Sequence, residues 1–123
     1  AVTNFSAGTV SFVDIDPASP SFHRVTKTIP VGAGPRGCAF QSENEDLLVA
    51  NFLESSISVI RQLDLSVRKT LRSQIARPVD VAVTPRQNLF GYNTGLYFAY
   101  VLNQDGSVAV MESGPDGTNG IGY

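Results

Sequence analysis

The sequence predicts an all-β protein of antiparallel four-stranded sheets, and three observations lead there. Short apolar segments rich in Val, Ile and Phe are bounded by Gly, Pro, Asn, Asp or Ser, the pattern of strands joined by turns; helices are not expected. The segments also recur. Val10-Ser11-Phe12-Val13-Asp14, Ile57-Ser58-Val59-Ile60-Arg61 and Val108-Ala109-Val110-Met111-Glu112 all read apolar, small, apolar, apolar, charged, at steps of 47 and 51 residues. Finally, other segments keep the same order. Val2-Thr3-Asn4-Phe5, Val49-Ala50-Asn51-Phe52 and Val101-Leu102-Asn103-Gln104 each precede the first motif, and Pro35-Arg36-Gly37-Cys38-Ala39-Phe40 aligns with Pro78-Val79-Asp80-Val81-Ala82-Val83. A step of about 40 to 50 residues is that of one β-propeller blade.

Taken in order, the first strand ends at Asn4, where asparagine tolerates a left-handed backbone and bonds the following turn, Phe5 to Gly8. Val10 to Asp14 is the next strand. Arg24 to Ile29 alternates apolar and cationic residues, as does Val67 to Arg72; both read as half-exposed outer edges. After a glycine-rich connection, Gly37 to Gln41 is an inner strand, and the polar turn Ser42 to Asp46 leads to a strand ending at Asn51. Ile57 to Arg61 is apolar on both faces, as in a sheet sandwiched between sheets. A second inner strand, Val79 to Thr84, is followed by extra residues from Arg86 to Leu96, then by a strand ending at Asn103 and another from Val108 to Glu112. The tail, Ser113 to Tyr123, breaks the pattern before a fourth strand. The prediction is a partial propeller of about ten strands grouped three, four and three, with one full and two partial blades and repeat units 1–48, 49–98 and 99–123; the inner strand of the full blade is Val79 to Thr84 or, depending on where the cut is taken, Gly37 to Gln41, and the second choice gives a blade near Gly37 to Ser73.

Propellers close about four to eight sheets into a ring, so two and a half units would leave an apolar face open at each end. The expected partners are the remaining blades of a longer chain, for which the missing initiator methionine also speaks, or copies that associate to complete a ring. A net charge of -2 disfavours nucleic acid and anionic membranes as partners, and no apolar run approaches the length of a membrane span. Cys38 is the single cysteine, without a partner for an internal disulfide or a zinc site, and reads as a small buried residue.

On these residues the repeat resembles the propeller family named for the signature Tyr-Val-Thr-Asn, described as surface-layer or lactonase-like seven-bladed propellers. Ala1-Val2-Thr3-Asn4-Phe5 matches all but the tyrosine, Ser6 to Asp14 looks like the family's second strand, and Ile29 to Gly37 like its join between blades. The second unit is a looser match, with Asp80 in place of Gly37, and the third keeps the asparagine and the next strand. The resemblance implies an extracellular, cell-surface or periplasmic location and a non-catalytic scaffold or binding module that presents one face to a protein or glycan. The family also includes enzymes. The alternative it implies is a segment of a lactonase-like or lyase-like enzyme, or of a subunit serving a redox cofactor, whose catalytic groups lie on other blades.

No cofactor and no catalytic residue is expected within the chain itself. Gly32 to Gly37 formally fits G-x-G-x-x-G, but Pro35 lies within it and a β pattern follows. His23 is the only histidine and has no nucleophile elbow beside it. Asp14-Ile15-Asp16 and Asn103 to Gly106 offer oxygen ligands without the spacing of a calcium loop, and turn chemistry accounts for them; Asp116 and Asn119 in the tail are weak calcium candidates. Glu43, Glu45, Asp46 and Glu54, and the cations Arg61, Arg68, Lys69, Arg72 and Arg77, read as solvated faces. Up-and-down strands sort the turns onto two ends of the blades. At one end Arg36, Arg77 and Asp80 are the charged residues best placed for binding; at the other, Phe90 and Tyr92 in the long loop are aromatic recognition candidates.

Overall fold

Val, Ile, Phe and Thr set at alternate positions favour a pleated, half-buried backbone, and strands form wherever that pattern occurs. In a computed structural model describing residues 1–41, 46–89, 92–113 and 121–122, the described residues form strands and no helix. The first sheet pairs β1 (Val2–Asn4), β2 (Thr9–Val13) and β3 (Val25–Pro30) in that order. In the second, β4 (Pro35–Phe40), β5 (Asp46–Asn51), β6 (Ser56–Arg61) and β7 (Ser66–Leu71) pair consecutively. The third has β8 (Pro78–Val83) on one side of β11 (Phe98–Asn103), with β12 (Val108–Ser113) and β13 (Ile121–Gly122) on the other. Between β8 and β11 the chain makes a separate hairpin of β9 (Gln87–Leu89) and β10 (Tyr92–Leu96). Every pairing is antiparallel.

The ten expected strands are all present in groups of three, four and three, and two expectations are corrected. The extra residues after Arg86 do not form a plain loop: Leu89 pairs with Tyr92 and Gln87 with Leu96. Nor does the tail stop short of a fourth strand, because Ile121 pairs with Ser113 and Gly122 with Glu112. Backbone hydrogen-bonding groups pair strand to strand whatever the side chains, in the separate hairpin as at the edge of the third sheet, which is why the side-chain pattern missed both.

The sheets stack face to face. Val10, Phe12 and Ile29 of the first meet Leu47, Val49 and Ile60 of the second in one buried cluster. Leu48, Ala50, Ile57, Val59 and Leu71 of the second meet Val81, Ala99, Val101, Ala109 and Met111 of the third in another. The middle sheet is therefore covered on both faces, as the two-sided apolar pattern of β6 predicts, and its burial runs unbroken from Ser56 to Ile60. The outer strands β3 and β7 are largely exposed.

Irregularities recur at equivalent places. Arg68 is an extra residue in β7, between the partners of Val59 and Ile60, and Thr26 stands at the same place in β3, between those of Phe12 and Val13. Gly8, Ser55 and Gly106, each just before the second strand of a hairpin, all have positive φ (65°, 52° and 86°). So do Gly34 (63°) and Arg77 (49°), the residues before Pro35 and Pro78. The repeated asparagines Asn4, Asn51 and Asn103 do not take the left-handed conformation themselves. Their amides reach across the hairpin to hydroxyls: Asn4 to Thr9 and Ser11 (3.0 and 2.9 Å), Asn51 to Ser56 and Ser58 (3.0 and 2.9 Å), Asn103 to Ser107 (3.0 Å).

Candidate functional site

The turns at one end of the sheets are knitted together from sheet to sheet, and this positions the charged residues there. Thr3 donates its hydroxyl to the Arg36 carbonyl (2.6 Å), Phe52 its N–H to the Gly34 carbonyl (2.9 Å), and Gln104 its N–H to the Arg77 carbonyl (3.1 Å). Arg77 in turn donates its N–H to the Ser55 hydroxyl (3.0 Å). The backbone on either side of Arg36 and Arg77 is thus tied to neighbouring hairpins.

The side chains converge on Phe52, the residue after Asn51. The Arg36 guanidinium carbon lies 3.8 Å from the Phe52 ring centre and 5.5 Å from that of Phe5; the Arg77 carbon lies 4.8 Å from the Phe52 ring centre. A guanidinium over an aromatic face is attracted to the ring's negative quadrupole, by about 1 kcal/mol at a partly exposed site. The cluster draws on all three stacked sheets: Phe5 from the β1–β2 turn, Arg36 and Phe52 from the second sheet, Arg77 from the approach to β8. Phe52 is buried beneath the arginines, which are themselves exposed. Neither arginine takes part in an ion pair among the described residues.

Asp80 sits next to this cluster by way of the inner strands. A Cβ on Gly37 would collide with an Asp80 carboxylate oxygen and lie 2.7 Å from the Asp80 Cα, so the glycine of β4 makes room for β8. One Asp80 oxygen accepts the Val81 N–H (2.9 Å). An ion pair flanks the site, where Glu54 accepts from the Arg72 guanidinium and from the Ala33 N–H, and these bonds hold its carboxyl below the usual range.

The other sequence candidates stand apart. Phe90, Asp116 and Asn119 lie outside the described residues, and Tyr92 is described by its backbone alone, in β10. His23 is exposed and stacks on Phe22, with ring centres 3.6 Å apart. The oxygen-rich turns serve their own backbone: Asp14 accepts the Asp16 N–H and the Ser21 hydroxyl, Asp64 the Ser66 hydroxyl and N–H, Asp105 those of Ser107. Among the described residues no three His, Cys, Asp or Glu side chains gather as a metal site.

Two features escaped sequence reasoning. The Phe52 platform was signalled by an aromatic residue after the asparagine in both Val-x-Asn-Phe segments. Asp46, read above as part of a solvated acidic face, is instead buried, accepting from the Tyr97 hydroxyl (2.8 Å) and pairing with Arg68 (3.3 Å). Arg68, the extra residue of the β7 bulge, reaches Asp46, which no pattern of charges along the chain announces. Compared with protein-family models and with curated proteins, the chain matches none.

Proposed function

We propose that the chain is a run of consecutive β-propeller blades acting as a non-catalytic scaffold, with its turn-bearing end presented to a protein or glycan partner and its open faces covered by further sheets of the same repeat. The observation that carries the reading is the equivalence of the faces. The middle sheet receives the third through Leu48, Ala50, Ile57 and Val59. The residues at the same repeat positions in the third sheet are Tyr100, Leu102, Val108 and Val110, and these are 44%, 42%, 54% and 54% exposed. At the opposite end, exposed Val2 and Val25 and half-buried Val13 occupy the positions of Val49, Val67 and Ile60, on the face by which the middle sheet receives the first. The two outward faces are thus the two halves of an interface that the molecule already uses twice. Covering each half-exposed apolar side chain gains about 1 kcal/mol.

Light scattering of the chain, with binding of an apolar fluorescent dye, tests this. Head-to-tail association, lost in Val110→Lys with strand content unchanged, supports cover by a second copy. A monomer that binds the dye, and loses that binding in Val110→Lys, supports cover by blades of a longer chain. A monomer that binds no dye overturns the reading.

A further inference from the structure

We propose that Arg36 and Arg77, held on the Phe52 ring, form a binding site for the carboxylates of an acidic peptide. The inference rests on the turn-bearing end being the scaffold's binding face, and it names the ligand class. Both cations lie against one ring, so the two guanidinium groups are neighbours, closer than the sum of their distances to its centre. The attraction to the ring uses the charge of a guanidinium and not its N–H groups as donors to an oxygen, and those N–H groups can take a carboxylate in two parallel hydrogen bonds. No side chain among the described residues fills that role for either arginine. The Asp80 carboxylate of β8 accepts the Val81 N–H instead.

The backbone at Arg77 supplies a second, independent observation. Its φ of 49° is a left-handed conformation, which strains a residue with a Cβ, and the equivalent residue of the preceding connection is Gly34 at 63°. Both backbone groups of Arg77 are bonded to neighbouring turns, so the conformation is imposed from outside and glycine would suit it better.

A peptide fits better than a sugar acid. Recognition of a sugar uses an open aromatic face, and that of Phe52 is taken by the cations. Leu53, exposed on the same turn and lying over Gly34, and Phe5 beside Arg36 offer apolar contacts to neighbouring side chains of a peptide.

Calorimetric titration at low salt with an oligoglutamate peptide blocked at both ends tests the site, with oligoglutamine and oligogalacturonate as comparisons. Saturable binding of oligoglutamate alone is expected, weakened about tenfold or more in Arg36→Gln and in Arg77→Gly, as for loss of charged hydrogen bonds. Arg77→Gly should melt no lower than the parent chain, which separates lost binding from lost folding. No binding, equal binding by oligoglutamine, or undiminished binding in Arg77→Gly overturns the proposal, and preference for oligogalacturonate overturns the peptide assignment. The same titration on Val110→Lys separates this site from the scaffold reading: binding retained by a variant with altered association shows that the two stand or fall separately.

Discussion

Gly37 illustrates how one missing side chain sets the distance between two sheets. Its absent Cβ is what lets the Asp80 carboxylate and Cα approach β4 so closely, and one of the colliding atoms is backbone, which cannot swing aside. Gly37→Ala should therefore cost about 1–3 kcal/mol, the range for overpacking a close-packed contact. Urea denaturation should show the midpoint falling while the slope stays constant; an unchanged midpoint would mean that β8 shifts at no cost. Asp46 is the converse case, a buried charge tolerated because the Tyr97 hydroxyl and the Arg68 guanidinium replace its water. Its residue type read as the end of a polar turn, whereas it opens β5, and its burial depends on a tyrosine 51 residues away.

At the level of the hairpin, the repeated asparagine works as a bracket rather than as a turn former. Asn4 spans only its own hairpin and is partly exposed. Asn103 also crosses to the preceding connection, donating to the Gln74 carbonyl (3.1 Å) and accepting the Ala76 N–H (3.0 Å), so it joins hairpin to linker. Asn51 is fully buried, and its Oδ1 has no partner among the described residues. Replacement by alanine should follow these differences. Asn103→Ala is expected to cost about 2 kcal/mol or more, because it leaves a linker donor unpaired, and Asn4→Ala about 1 kcal/mol or less, because water can replace its bonds. Thermal unfolding of the two variants, compared at one protein concentration, checks the order. Equal losses would show that the link between hairpin and linker contributes nothing.

Across the whole molecule, hydrogen-bonded carboxyls favour the folded state at neutral pH over acid pH. Hydroxyl donors, Ser19 and Ser21 at Asp14, Ser66 at Asp64 and Ser107 at Asp105, are the main cause holding those carboxyls below 3.8, and Arg72 is the main cause holding Glu54 below 4.5. Their folded values lie below their unfolded ones, so their contribution is complete above 4.5 and is lost as the pH falls through the folded values. Cys38 acts at the other limit. Burial pushes its thiol above 9.0, so its contribution is present below that value and lost as the pH rises beyond it. Denaturation midpoints should form a plateau between about pH 5 and pH 8 and fall on both sides. A midpoint that rises on acidification from pH 5 to pH 3 would contradict this account.

Strand type, the order of the sheets along the chain and the two-sided burial of β6 were legible in the sequence, because they follow from local alternation and from a repeat that each unit states again. The convergence of Arg36 and Arg77 was legible only as a shared end of the sheets. That both would stack on Phe52 depended on the stagger of three hairpins against one another, a relation between segments far apart in sequence. The pairing of β13 and the inward turn of Arg68 toward Asp46 were decided by the tertiary structure alone, because unsatisfied backbone groups and a buried charge find partners by proximity, and alternation along a strand carries no information about which distant group will be near.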